Sequence, residues 1–111
     1  MMSSDKQKIV ETYLEARKNN NPPNQMVLFF SDNAKIVDNY KYNKTFTGKK
    51  EIMSYFETTP APLISPTVDF IKNNPDGTIY VCLTFGKLLF KTTVRLNFTI
   101  SSSHVDQIVI N

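Results

Sequence analysis

Between Phe90 and Ile100 the chain alternates. Phe90, Val94, Leu96, Phe98 and Ile100 fall on one parity, and Lys91, Thr93, Arg95, Asn97 and Thr99 fall on the other. Successive side chains of a strand point to opposite faces, so this pattern fits an extended strand with one face in a core and one toward water. Such a strand needs neighbours of its own kind, and the flanking sequence supplies them. Ile79, Val81, Leu83 and Phe85 alternate with Tyr80, Cys82 and Thr84, while Thr67 to Lys72 alternates before the turn Asn73-Asn74-Pro75-Asp76-Gly77. Gly86 predicts a break between the two longest strands, and Val105 to Ile110 closes the sheet after the turn Ser101-Ser102-Ser103. The second half of the chain is therefore read as antiparallel hairpins.

The first half carries a different period. Ser4-Asp5-Lys6-Gln7 matches a capping box, and behind it Ile9, Val10, Tyr13 and Leu14 recur at helical spacing. Asn19-Asn20-Asn21 suits a left-handed exit, and Pro22-Pro23 cannot continue the helix but can open a short second one. That helix, with Met26, Val27, Leu28, Phe29 and Phe30, is expected to be largely buried. A first strand is expected over Ala34 to Asp38 and a second over Asn39 to Thr47. A third helix starts at Gly48, carries the stripe Ile52, Met53, Tyr55 and Phe56, and stops at Pro60-Ala61-Pro62. The order α-α-β-β-α-β-β-β-β predicts an α+β fold with helices on one face of a curved antiparallel sheet.

Composition narrows the function classes. Hydrophobic residues make up 41% of the 111, enough for one core in a single domain spanning 1–111. No uncharged apolar run approaches the roughly 20 residues of a membrane span, and Met1 to Lys6 lacks the apolar stretch of a signal peptide, so a soluble, cytoplasmic protein is expected. Cys82 is the one cysteine and His104 the one histidine, which leaves no internal disulfide and no metal-ligand spacing; neither metal nor cofactor is expected. The net charge of +3 would permit nucleic-acid binding, but the thirteen basic residues are scattered among acids. The densest stretch, Lys41 to Lys50 with Tyr40, Tyr42 and Phe46, reads more simply as a solvated loop and strand edge.

Three stretches carry a family resemblance: Ile9-Val10-x-x-Tyr13, Leu28-Phe29-Phe30-Ser31-Asp32-Asn33-Ala34-Lys35-Ile36-Val37-Asp38, and Phe46-Thr47-Gly48-Lys49-Lys50-Glu51-Ile52. With the closing Asp106-Gln107-Ile108-Val109-Ile110, the chain resembles the nuclear transport factor 2-like superfamily, which includes ketosteroid isomerases and SnoaL-like cyclases. The resemblance implies a cone, with the three helices of the N-terminal half packed on the concave face around a mostly apolar pocket. It places Asp38 at the isomerases' proton-shuttling carboxylate and Tyr13 at the tyrosine that donates to the developing oxyanion. Taken alone, Asp38 also suits a strand-end turn, and Tyr13 an ordinary core position. The isomerases' second acid has no counterpart, because Leu96 occupies its place.

The expected ligand is a small apolar carbonyl compound contacting Tyr55, Phe56, Leu83, Leu96 and Phe98. Any reaction would be metal-free proton transfer of the isomerase, cyclase or lyase kind. Two alternatives accompany it: a non-catalytic interaction module of the transport-factor type, and a cone plugged by Phe29, Phe56, Phe85 and Phe98. The outer sheet face, with Tyr80, Thr84, Thr93, Arg95 and Asn97, is the expected homodimer surface.

Overall fold

The computed structural model describes residues 5–62, 65–87 and 89–111. The chain runs α1 (Asp5–Lys18), α2 (Pro23–Met26), a single 3-10 turn (Val27–Phe29), β1 (Phe30–Asp38), β2 (Lys44–Thr47) and α3 (Gly48–Thr58). It continues through β3 (Thr67–Asn73), β4 (Ile79–Lys87), β5 (Phe90–Ser101) and β6 (His104–Ile110). The six strands form one sheet in the order β2-β1-β6-β5-β4-β3. Every neighbouring pair is antiparallel except β1 and β6, which run parallel, so the sheet is mixed rather than wholly antiparallel. Register shifts interrupt the β1–β6, β3–β4 and β5–β6 ladders. Such irregularities bend a strand and raise its local twist, which curves the sheet.

The alternating run behaves as its pattern demands. Val94, Leu96, Phe98 and Ile100 are buried, while Lys91, Thr93 and Arg95 on the opposite parity are exposed. Phe90 shares the buried parity yet is exposed at the hairpin end of its strand. α1 buries Val10, Tyr13 and Ala16 along one stripe. It ends in a Schellman motif: Asn20 takes φ +54°, Asn21 N donates to the Ala16 carbonyl and Asn20 N to the Arg17 carbonyl. The Ser4 cap lies outside the described residues. α3 buries Ile52, Tyr55 and Phe56, and Glu51 Oε1 accepts from the Thr47 backbone N–H at its start.

Four further expectations change in the structure. β1 begins at Phe30, because Ser31 to Asn33 join the strand through a register shift instead of ending the short helix. β2 is short, because residues after Asp38 turn through Asn43 at φ +51° before pairing starts at Lys44. The segment before β1 is only partly buried. Met26 and Phe30 point inward, but Leu28 is 66% exposed, since one 3-10 turn cannot place consecutive residues on a single face. Gly86 does not break the sheet; it pairs with Lys91 within β4 at φ +96°. At the opposite end of β5, Asp106 accepts from both Ser31 Oγ and Ser101 Oγ, tying β6 to β1 and β5 and holding its carboxyl below the usual aspartate range.

Candidate functional site

The concave face leaves a cavity of about 670 Å³ beneath α1, the turn after β1, and the segment that follows α3. Its floor is apolar, with Leu83 and Phe85 from β4, Val94 and Leu96 from β5, and Ile108 and Ile110 from β6. The polar groups come from the other elements. Asp38 ends β1, Tyr13 and Arg17 are one turn apart on α1, and Tyr55 comes from α3.

Asp38 is 1% exposed. Its Oδ1 accepts from the backbone N–H groups of Tyr40 (2.8 Å) and Lys41 (2.7 Å), which explains the tight turn after β1. No described donor bonds Oδ2. Asp38 thus holds the strand-end turn through Oδ1 and also lines the cavity.

Tyr13 is held on all sides by rings. Phe98 lies 5.4 Å away between ring centroids, Phe29 5.6 Å, Phe30 6.0 Å and Phe56 6.4 Å, three of them edge-on. Tyr55 is clasped by Phe46 at 5.1 Å and Phe56 at 5.2 Å. Neither tyrosine hydroxyl has a hydrogen-bond partner among the described residues, yet no buried side-chain oxygen or nitrogen there lacks one, so both hydroxyls reach open space. Burial pushes Tyr13 up to about 12, against the opposing pull of the Arg17 guanidinium. Tyr55 is raised further, mainly by burial, with Tyr13 and Asp38 adding and Arg17 opposing. Both phenols stay protonated at neutral pH and offer O–H donors.

Of the residues singled out in the sequence, Tyr13, Asp38, Tyr55, Leu83 and Leu96 come together around the cavity. Phe56 and Phe98 do not line it; they are buried behind Tyr13. Phe85 reaches the cavity wall, while Phe29 packs on Tyr13. Arg17, Lys41, Ile71 and the Pro60–Pro62 segment also line the cavity, unanticipated. Arg17 had one available signal, its position four residues after Tyr13.

The remaining candidates lie elsewhere. His104 is exposed beside Ser103, and Cys82 sits on the other face of β4, its Sγ 3.8 Å from Asp69 Oδ2. Among the described residues, no three His, Cys, Asp or Glu side chains gather as metal ligands, and no helix is long and apolar enough to cross a membrane.

No protein-family model matches the chain, and no curated protein matches it in sequence. Solved structures do. An NTF2-like protein of unknown function from Cytophaga hutchinsonii superposes with a TM-score of 0.74 at 7% identity, covering 100% of this chain and 91% of that one. A protein assigned as a SnoaL-like polyketide cyclase from Shewanella putrefaciens gives 0.75 at 13% identity, covering 98% and 80%. A protein with a ketosteroid isomerase-like fold from Catenulispora acidiphila, in complex with trimethylamine, gives 0.73 at 16% identity, covering 93% and 83%. At these identities the likeness concerns the backbone, and function has to be argued from the site. The chain has the nuclear transport factor 2-like fold.

Proposed function

We propose that the cavity binds an apolar small molecule bearing a carbonyl group and supports proton transfer of the isomerase, cyclase or lyase kind. The observation that carries this reading is the convergence of Asp38, Tyr13 and Tyr55 on a cavity with an apolar floor, with neither phenol hydroxyl bonded by a described residue. The tyrosines would donate to the carbonyl oxygen and stabilise the negative charge that develops there when a neighbouring C–H is deprotonated. Asp38 would take that proton through Oδ2 and return it at another carbon, while Oδ1 stays fixed by its two backbone donors. Tyr55 would supply the second donor that Leu96 cannot.

Asp38→Asn separates structure from chemistry. Its amide oxygen still accepts from Tyr40 and Lys41, but the side chain no longer takes a proton. The expected result is an intact fold, retained ligand binding, and about a hundredfold or greater loss of solvent-deuterium exchange next to the carbonyl of a bound cyclic enone, followed by NMR. Exchange at the wild-type rate in Asp38→Asn would remove Asp38 from the mechanism. Binding without exchange in either protein would leave a carrier rather than an enzyme.

The same reading includes a homodimer through the outer sheet face. Support comes from Phe70, 49% exposed on β3 and 5.7 Å from the ring of Tyr80 on β4. Sedimentation equilibrium should return twice the 12.7 kDa chain mass, and Phe70→Lys should halve it. A wild-type monomer refutes the arrangement.

A further inference from the structure

The cavity holds a cation whose charge the described part of the protein does not neutralise. Arg17 is half-buried and lines the cavity one helical turn beyond Tyr13. One of its amino groups, Nη2, donates to the Thr59 carbonyl, and Cζ lies 5.2 Å from the centroid of the Phe56 ring. These two contacts fix the guanidinium without meeting its charge. The one ion pair among the described residues is Lys49 with Asp32, away from the cavity. A guanidinium has five N–H donors, and the described residues occupy one.

The other charged groups around the cavity do not cancel it. Glu11, Glu15 and Lys18 are exposed on α1, where water screens them. Lys41 is exposed and leans on the Tyr42 ring, with Nζ 5.2 Å from its centroid. Asp38 is buried but lies beyond ion-pair distance, and its Oδ1 already has two backbone donors. The guanidinium acts on both Tyr13 and Tyr55, opposing the effect of burial on each, so its potential reaches the end of the cavity where the phenols converge.

We propose that the cavity selects an apolar carboxylic acid, its carboxylate paired with Arg17 and its hydrocarbon body resting on Leu83, Val94, Leu96 and Ile108. A planar carboxylate matches the forked donors of a guanidinium, and a single half-buried cation matches a single negative charge. A dianion such as a phosphate monoester would bring one charge too many into an apolar wall. An ammonium ligand would meet Arg17 as a like charge. The inference rests on the reading that the cavity binds a small molecule, and it adds the ligand's charge.

The test uses three ligands that share one ketone-bearing ring system: fluorenone carboxylate, fluorenone carboxamide and aminomethyl fluorenone, titrated calorimetrically into the full chain. The carboxylate should bind about tenfold or more tightly than the amide, and the amine should bind most weakly. Arg17→Gln keeps an N–H donor for Thr59 and removes the charge; it should bring the carboxylate-to-amide ratio close to one, with folding checked by thermal unfolding. Arg17→Lys should restore part of the ratio. Equal binding of carboxylate and amide by the wild type, or a preference for the amine, overturns the proposal while leaving the cavity as a binding site. Failure of all three to bind overturns both readings.

Discussion

Phe98→Ala should lower the unfolding free energy by about 3–5 kcal/mol, the usual cost of emptying a buried phenylalanine site. Phe98 is fully buried in β5, paired across the sheet with Ile79 and Ile108, and its ring meets Tyr13 edge-on at 5.4 Å. The surrounding side chains belong to three strands locked in register and to α1, so the site has little freedom to collapse. Against a typical domain stability of about 5–15 kcal/mol, this loss is large. Urea titration should show a lower midpoint with an unchanged slope. The ligand-binding face should suffer as well, because Tyr13 loses its nearest aromatic support. A midpoint that moves by the equivalent of less than about 1 kcal/mol would mean that the site closes around the missing ring, and Phe98 would then have no structural claim on Tyr13.

Gly86→Ala should be damaging for a different reason. At φ +96° an L-residue carries about 1–3 kcal/mol of backbone strain, and a β-carbon there would overlap the Phe90 carbonyl oxygen. That oxygen belongs to the facing strand, so relief requires the hairpin end to part. The expected signature is local first: amide exchange should accelerate at Gly86 and Lys91 and along the neighbouring pairs Phe85–Thr92 and Lys87–Phe90. The midpoint of global unfolding should fall with it. Wild-type protection at these amides would show that β4 can be re-formed without its glycine.

The contrast between these two positions indicates what sequence reasoning can reach. Phe98 was legible because it belongs to a period of two sustained over a long strand, and one face of such a strand must be apolar. Asn20 was legible because the left-handed exit of a helix admits few residue types. Gly86 reads as a break because glycine signals positive φ but not whether the ladder continues through it. Leu28 reads as buried from its apolar neighbours alone, whereas a single 3-10 turn leaves it facing water. The parallel pairing of β1 with β6 had no local signal at all, since it joins residues some seventy positions apart.

The site divides along the same line. Tyr13, Asp38 and Tyr55 could be named because helix stripe, strand parity and family resemblance each pointed inward. Phe56 and Phe98 share those inward parities but end one layer deeper, a distinction that periodicity cannot make. Arg17 was hidden by its chemistry. A basic residue in the last turn of a helix is ordinarily explained by the helix dipole and by solvent, and only the fold brings it against Thr59 and Phe56.

The place of the last strand has a consequence for how the chain assembles as it is synthesised. β6 lies inside the sheet, with β1 on one side and β5 on the other, and its tail is fastened by reciprocal hydrogen bonds between Asn111 and Arg95. Until residues 104–110 emerge, β1–β2 and β3–β4–β5 are two separate ribbons, each with a bare inner edge and no shared floor for a cavity. The nascent protein is thus most open to edge-to-edge misassociation while residues 104–110 are still to come, and that one strand converts two adhesive fragments into one folded unit.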